Sequence, residues 1–251
     1  MRYFSLKDRN NYVDFKEATL QGQAPDGGLY YPASIPVWNN HFIRNLKRKS
    51  KLEIGFEIMA PYVGNTIPEK ELYSIIEETL DFDFPLQTIS ENIYSLELFH
   101  GPTLAFKDVG ARFLSRCMGF FAGKLTKKIV VLVATSGDTG GAVADAFHNI
   151  PGIEVIILYP SGKVSPVQEK QLTALGGNIH ALEIEGDFDD CQKLVKMAFL
   201  DAELKENIML TSSNSINVAR WLPQQIYFAL AMTQWEEEHE PVVAVPSGNF
   251  G

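Results

Sequence analysis

Residues 129–141 read IVVLVATSGDTGG, and this stretch decides the fold. Residues 129–133 are a continuous apolar run, which is typical of a strand buried on both faces of a parallel sheet. The small and polar residues after it predict a glycine-rich turn, and residues 139–148 predict an amphipathic helix. This sequence of strand, tight turn and helix is the repeating unit of an α/β domain.

The same alternation continues along the rest of the chain. Three further apolar runs predict strands over residues 155–158, 179–184 and 242–245. Helices are predicted between the strands, over residues 165–175, 188–200 and 215–238. Alternating strands and helices predict a parallel sheet with helices on both faces.

The region before this alternation has a different pattern. Residues 1 to about 93 form a mixed unit, in which residues 12–21 predict a helix and residues 24–28 a turn. The segment Thr66-Ile67-Pro68-Glu69 predicts the start of a second helix, with Thr66 as its N-cap and Glu69 completing a capping box. The apolar side chains expected on one face of that helix are those of Leu72, Ile75, Ile76 and Leu80.

Composition excludes several classes of function. The chain has 251 residues and a formal net charge of −9, which disfavours nucleic acid or an anionic membrane as a partner. Its two cysteines predict neither disulfides nor a cysteine metal site, and its five histidines share no metal-ligand spacing, so we expect no metal. No apolar run approaches the ~20 residues that span a bilayer, and the N-terminus lacks a signal-peptide pattern. We therefore expect a cytoplasmic protein.

Lys107 is the first candidate for a reactive group. It lies in residues 98–108, LFHGPTLAFKD, within an apolar turn shaped by glycine and proline just before a predicted helix. Most lysines are solvated surface residues, and that is the ordinary alternative here. An amine in apolar surroundings loses solvation of its charged form, so its pKa falls and it can act as a nucleophile or form a Schiff base. Lys107 therefore suits an aldehyde cofactor.

Two loops are candidates for anion binding. Residues 134–141 place Ser136 and Thr139 at the start of a helix, where hydroxyl and N–H groups can hold a carboxylate or phosphate. Residues 212–220, SSNSINVAR, lead into another predicted helix and include Arg220, whose guanidinium can grip a phosphate. For each loop the alternative is an ordinary capped helix start.

Taken together and in order, these motifs resemble threonine synthase of the longer type, which carries an extra N-terminal domain. The resemblance covers essentially the whole chain. It implies the tryptophan-synthase-β-like fold of pyridoxal-phosphate enzymes: α/β, with layered parallel sheets, helices on both faces and a preceding mixed N-terminal domain. It also implies a division into an N-terminal domain (1–93), a large cofactor-binding domain (94–126 and 236–251) and a smaller α/β domain (127–235). The segments that carry it are residues 15–18, 24–30, 100–108, 135–141, 159–166, 175–179, 214–220 and 245–251.

The resemblance also implies roles for individual residues. Lys107 would bind pyridoxal 5'-phosphate as a Schiff base and act as the catalytic residue, and Asp138 would lie beside the cofactor ring. The other implied residues bind the substrate carboxylate (Thr135, Ser136, Thr139), the substrate phosphate (Asn214, Ser215, Arg220) and the cofactor phosphate (Gly248, Asn249, Phe250, Gly251).

The implied reaction converts O-phospho-L-homoserine and water to L-threonine and phosphate, the last step of threonine biosynthesis. Phosphate leaves the γ-carbon while a hydroxyl group arrives at the β-carbon, so protons must move before the phosphate departs. Lys107 is the best candidate to move them. The expected assembly is a monomer or a homodimer.

Two alternative functions stay open. A serine/threonine dehydratase-like lyase on the same fold would need Lys107 but has no use for a second anion site at residues 214–220. The chain also ends at Gly251, directly after the turn PSGNFG, which suggests truncation within a binding loop. The 251 residues alone are therefore expected to be inactive, and the second alternative is a non-catalytic fragment that at most binds anions.

Overall fold

The computed structural model describes residues 1–135 and 137–245. The strands in this part of the chain are β1 (Tyr3–Ser5), β2 (Tyr12–Val13), β3 (Tyr30–Pro32), β4 (Leu86–Ser90), β5 (Ile93–Leu96), β6 (Ile129–Ala134), β7 (Ile153–Pro160), β8 (Ile179–Ile184) and β9 (Met209–Thr211). The helices are α1 (Phe15–Gln21), α2 (Asn40–Asn45), α3 (Lys51–Val63), α4 (Glu69–Thr79), α5 (Lys107–Ala122), α6 (Asp138–Phe147), α7 (Pro166–Thr173), α8 (Phe188–Leu200), α9 (Ala202–Asn207), α10 (Val218–Trp221) and α11 (Ile226–Gln234).

A four-stranded parallel sheet, in the order β8-β7-β6-β9, forms the centre of the α/β part. Its central strand β6 is buried along its whole length. Side chains of one face, including Leu132 and Leu158, pack against Cys191 and Val195 of α8. Side chains of the other face, including Val131, belong to the main core together with α5 and α6. The predicted α/β fold with helices on both faces of a parallel sheet is therefore confirmed.

The prediction of a strand over residues 242–245 was wrong. This segment forms no strand, and its valines are exposed, Val242 by 97%. The fourth strand is β9, which pairs with residues 129–131 of β6. β9 escaped sequence analysis because it has only three residues, Met-Leu-Thr, and its pairing is set by the neighbouring strand rather than by its own pattern.

Among the predicted helices, three show the clearest differences from the structure. Residues 215–238 are broken into α10, a 3-10 helical turn at Leu222–Gln225 and α11, because Pro223 cannot donate a backbone hydrogen bond within a continuous helix. The helix predicted from residue 12 begins at Phe15, since Asp14 caps it, accepting from the Glu17 N–H at 2.8 Å. α4 has Pro68 rather than Thr66 at its N-cap, while its predicted apolar face is buried as expected.

The N-terminal elements pack directly on the α/β part. β2, β1 and β3 form a small antiparallel sheet, and β4 pairs with β5 in a hairpin. The Phe15 ring of α1 lies 6.3 Å from that of Phe113 and 6.4 Å from that of Phe121, both in α5. One hydrophobic core thus extends from the N-terminal elements into the α/β part. The division at residues 93, 126 and 235 stays a prediction.

Candidate active site

The order of strands in the parallel sheet predicts a ligand-binding crevice beside the end of β6. From β6 the chain proceeds to β7 on one side, whereas β9 lies on the other side. Loops that follow two such strands leave the sheet in different directions, and ligands of open α/β sheets bind in the resulting crevice at the carboxyl ends of the strands. The two candidate loops, residues 134–141 and 212–220, follow β6 and β9 respectively. The fold therefore makes them neighbours.

Lys107 is the first residue of α5 and is half-buried. Its Nζ lies 5.6 Å from the centre of the Phe106 ring. Burial lowers the pKa of the Lys107 amine; the positive charge of Arg220 lowers it further, and the carboxylate of Asp138 opposes the shift. Both charged groups therefore lie within electrostatic reach of Lys107. A larger fraction of neutral amine makes Lys107 a better nucleophile at neutral pH.

The backbone on either side of Lys107 is held by buried polar groups. The hydroxyl of Tyr227, from α11, donates to the carbonyl of Phe106. The carboxylate of Asp108 is almost fully buried and accepts hydrogen bonds from the Thr103 N–H at 3.0 Å and from the Thr103 hydroxyl. Burial raises the pKa of Asp108 despite these bonds. The turn that carries Lys107 is thus fixed before and after the lysine.

The loop after β6 uses its side chains to hold its own shape. The Thr135 hydroxyl accepts hydrogen bonds from the N–H groups of Gly137 at 3.1 Å and Gly140 at 2.9 Å. Asp138 is exposed and accepts a 2.7 Å hydrogen bond from the side-chain nitrogen of Gln168. Thr139 is half-buried at the start of α6. Of the predicted residues in this loop, Thr135 shapes the turn and Asp138 lies near Lys107.

Arg220 is the principal cation of the loop after β9. Only 3% of its surface is exposed, and its guanidinium donates to the Ser213 carbonyl at 2.7 Å. Burial lowers the pKa of Arg220 to about 10, with Tyr227 and Asp108 opposing the shift, so the group stays charged at neutral pH. Asn214 is half-buried and Ser215 is exposed.

At the start of α10, two of the N–H groups that the sequence offered to an anion have partners within the chain. The helix has only four residues. Its Ala219 N–H is bound by the side-chain oxygen of Asn217 at 3.0 Å, and its Arg220 N–H by the Asn217 carbonyl at 2.9 Å. The Arg220 guanidinium is therefore the principal group that this loop offers to an anion.

The Arg220 loop, residues 212–220, carries two buried polar atoms without partners. Four buried side-chain oxygens have no hydrogen-bond partner among the described residues, those of Thr19, Thr211, Ser213 and Asn214, and the last two belong to this loop. Buried polar atoms are normally paired. Open polar atoms on the Arg220 loop, together with a half-buried amine of lowered pKa, suit an aldehyde cofactor and an anionic substrate. Ser136, Gly248, Asn249, Phe250 and Gly251 lie outside the described residues.

Sequence reasoning missed three residues that support the site. Tyr227 lies 121 residues after Phe106, to which it bonds, and no local pattern links the two positions. Gln168 was detectable only as part of the capping box of α7, formed with Ser165. Asn217 was visible as one polar residue of the motif at 212–220, but its partner in α1 was not.

No three His, Cys, Asp or Glu side chains of residues 1–135 and 137–245 lie close enough together to hold a metal ion. Over the same residues, no helix has both the length and the apolar character needed to cross a membrane.

Two family models match the chain. Residues 2–80 match the model described as threonine synthase N terminus. Residues 84–251, more than half of the chain, match the model described as pyridoxal-phosphate dependent enzyme.

Curated relatives match over the whole chain. The threonine synthases of Haemophilus influenzae, Escherichia coli (strain K12) and Serratia marcescens are 46%, 44% and 43% identical to it. Each alignment covers 100% of this chain and 58% or 59% of the relative. The chain thus spans less than two thirds of the length of these relatives.

Solved structures agree with these matches. A crystal structure of threonine synthase from Escherichia coli superposes with a TM-score of 0.87 at 42% identity, covering 95% of this chain and 55% of that one. The structure of pyridoxal-phosphate-bound threonine synthase from Brucella melitensis also gives 0.87, at 41% identity, covering 93% and 52%. The resemblance to threonine synthases is therefore confirmed, and the chain belongs to the pyridoxal-phosphate dependent enzyme family.

Proposed function

We propose that the protein is a threonine synthase, which converts O-phospho-L-homoserine and water to L-threonine and phosphate. The relatives named above carry this name at 43% to 46% identity. The match of residues 2–80 to the threonine synthase N terminus supports the same assignment. Because the chain spans 58% to 59% of these relatives, the activity of the whole protein remains our proposal.

One observation favours a phosphorylated substrate over an ordinary amino acid. The buried guanidinium of Arg220 lies within electrostatic reach of Lys107 and forms no ion pair with any carboxylate of the described residues. Asp108 favours the charge of Arg220 only from beyond ion-pair distance, and a buried cation without a close ion pair is costly unless a ligand compensates it. A lyase that acts on serine or threonine presents no phosphate to pair with such a cation. The dehydratase-like alternative is therefore not favoured.

The chain's own residues supply binding and proton transfer in this reaction. Pyridoxal phosphate, when bound at Lys107, supplies an electron sink that stabilises negative charge on the neighbouring substrate carbons. The Lys107 Nζ, with its lowered pKa, can take a proton from one carbon and return it to another. The Arg220 guanidinium binds the phosphate and stabilises it as it leaves.

The remaining assignments in the crevice are part of the same proposal. Asp138 lies beside the cofactor, where Gln168 orients its carboxylate. Thr135, Ser136 and Thr139 bind the substrate carboxylate, and Asn214 and Ser215 assist Arg220 at the substrate phosphate. Gly248, Asn249, Phe250 and Gly251 hold the cofactor phosphate.

The test is the identity of the products. The extended protein, meaning this chain continued to the length of its relatives, is incubated with pyridoxal phosphate and O-phospho-L-homoserine. We expect L-threonine and inorganic phosphate in equal amounts, and neither from the Lys107→Ala variant. Formation of 2-oxobutanoate in place of threonine would support the dehydratase-like lyase, and absence of both phosphate and threonine would contradict the proposal.

The proposal also covers the activity of the 251 residues alone, the location of the protein and its assembly. The 251 residues alone are expected not to release phosphate, because they span little more than half of their relatives. We also propose a cytoplasmic location and a monomeric or homodimeric state. Phosphate release by the 251-residue chain at the rate of the extended protein would contradict the expected inactivity, and sedimentation analysis measures the assembly.

A further inference from the structure

Asn217 connects the N-terminal elements to the loop that carries Arg220. Its side chain is fully buried. The side-chain nitrogen donates to the Thr19 carbonyl at 2.9 Å and to the Ser212 carbonyl at 3.2 Å. The side-chain oxygen accepts from the Ala219 N–H at 3.0 Å. One amide group thus binds three backbone groups from three different segments.

Two of these bonds satisfy backbone groups that have no partner within their own helices. Thr19 lies in the last turn of α1, where carbonyl groups lack partners within the helix. Ala219 lies in the first turn of α10, where N–H groups lack them. Asn217 therefore caps the end of one helix and the start of another. Among the described residues, Asn217 is the one whose side chain links α1 to α10 by hydrogen bonds.

The chain is tightly packed where these segments meet. Gly22, directly after α1, has φ of +70°, and a Cβ atom there would lie 3.1 Å from the Thr211 hydroxyl and 3.3 Å from the Asn217 side-chain nitrogen. Glycine is therefore required both by the backbone conformation and by the space. The end of α1 lies against the loop after β9 at contact distance.

The position of Arg220 depends on this loop. Its guanidinium donates to the carbonyl of Ser213, which is part of the loop. Its backbone N–H is bound by the Asn217 carbonyl, and the Asn217 N–H by the Asn214 carbonyl. A shift of residues 212–217 away from α1 would therefore move the guanidinium and the open polar atoms of Ser213 and Asn214.

We propose that Asn217 is a positioning residue, through which the N-terminal elements hold the Arg220 loop in the conformation that binds the substrate phosphate. This inference rests on the proposed function of the loop. Asn217 acts on the phosphate through Arg220 and does not touch the substrate. The N-terminal elements thereby contribute to affinity for the phosphorylated substrate while lying outside the crevice.

The main test uses the Asn217→Ser variant of the extended protein. Serine still caps α10, because its hydroxyl can accept the Ala219 N–H, but it cannot supply the amide donors to Thr19 and Ser212. We expect the KM for O-phospho-L-homoserine to rise by about fivefold to a hundredfold, as for loss of a buried hydrogen bond, with kcat within about twofold. The Kd of inorganic phosphate, measured by calorimetry on the cofactor-loaded protein, should rise in parallel. Pyridoxal phosphate binding should not change.

Matched controls separate this effect from a general loss of stability. Asn207→Asp removes a similar 3.0 Å bond between an asparagine side chain and a carbonyl, on the exposed surface of α9, and should change nothing. Gly22→Ala disturbs the contact from the N-terminal side and keeps the test valid if Asn217→Ser does not fold. Its control is Gly176→Ala, which has a similar φ of +64° but no atom within 4 Å.

The outcomes distinguish this inference from the proposed function. A higher KM and phosphate Kd in Asn217→Ser and Gly22→Ala, but not in their controls, support the inference. Unchanged phosphate affinity in Asn217→Ser or, where that variant is unfolded, in Gly22→Ala overturns it, as does a fall in kcat without a change in KM. A wild-type protein that neither binds nor releases phosphate contradicts the proposed function itself, and the inference with it.

Discussion

Lys107 and Arg220 are two cations that the fold holds in partly or wholly apolar surroundings near each other. Burial lowers the pKa of both groups, and the charge of Arg220 lowers the pKa of Lys107 further. The hydrogen bonds of the buried groups Asp108 and Tyr227 go to Thr103 and to the Phe106 carbonyl, while the charges of both groups favour the protonated form of Arg220. Such an arrangement costs stability, and proteins retain it mainly at functional sites.

The partly buried charge of Lys107 lowers the stability of the fold. We therefore expect the protein to become more stable when this charge is removed. A pKa below the ordinary 10.5 means that protonation disfavours the folded state. This penalty is complete below the folded-state pKa and disappears as the pH rises to 10.5. Lys107→Met should therefore stabilise the cofactor-free protein at pH 7 by up to about 1 kcal/mol, a small gain because the amine is half-exposed.

Denaturation at two pH values measures this effect. The gain of Lys107→Met in free energy of unfolding should be larger at pH 7 than at pH 10. Lys163→Met, at an exposed position, serves as the control for the added apolar side chain. An equal gain at both pH values would show that packing, and not the buried charge, is responsible.

Arg220 should control the handling of the phosphorylated substrate. In the extended protein, Arg220→Ala should lower kcat/KM for O-phospho-L-homoserine roughly 30- to 150-fold. This corresponds to about 2–3 kcal/mol for the lost charge-assisted contact to phosphate. Pyridoxal phosphate binding, followed by its absorbance, should survive. Normal kinetics would assign Arg220 a purely structural role, and loss of cofactor binding would move it to the cofactor.

At the scale of elements, the contact between α5 and α10 joins the two cations. A Cβ atom at Gly110 of α5 would lie only 2.3 Å from the Arg220 carbonyl, which is backbone and cannot move aside on its own. Gly110→Ala should therefore push the helices apart and lower the free energy of unfolding by about 1–3 kcal/mol. The affinity of this variant for phosphate should also fall, because the substitution displaces Arg220.

Gly123, at the end of the same helix, provides the control for this substitution. It has φ of −60°, and a Cβ atom added there would meet no other atom within 4 Å. Gly123→Ala should change the free energy of unfolding by less than about 0.5 kcal/mol. Equal effects of Gly110→Ala and Gly123→Ala in urea denaturation would contradict the close contact between α5 and α10.

The elements also show what the sequence could predict. The apolar run of β6 and the amphipathic pattern of α8 are local signals, and both elements lie where they were predicted. β9 and the break at Pro223 depend on sheet pairing and on a missing N–H group, and both were missed. The bond from Tyr227 to Phe106 joins positions 121 residues apart, so no local pattern could reveal it. Sequence therefore predicted elements with local signals better than contacts between distant segments.

For the whole molecule, the residues that we propose for the site come from segments far apart in sequence. They lie in the turn before α5, the loop after β6 and the loop after β9, and these segments are bonded to α1 through Asn217 and to α11 through Tyr227. One continuous core from the N-terminal elements to the parallel sheet holds these segments in place relative to one another. Among these residues, we expect Lys107 to carry the cofactor.

The most direct measurement locates the cofactor on the chain. The extended protein is loaded with pyridoxal phosphate, reduced with borohydride, digested and analysed by peptide mass spectrometry. We predict the pyridoxyl group on Lys107, and no stoichiometric labelling in the Lys107→Ala variant. A pyridoxyl group on Lys124, Lys127 or Lys163 in place of Lys107 would contradict this expectation.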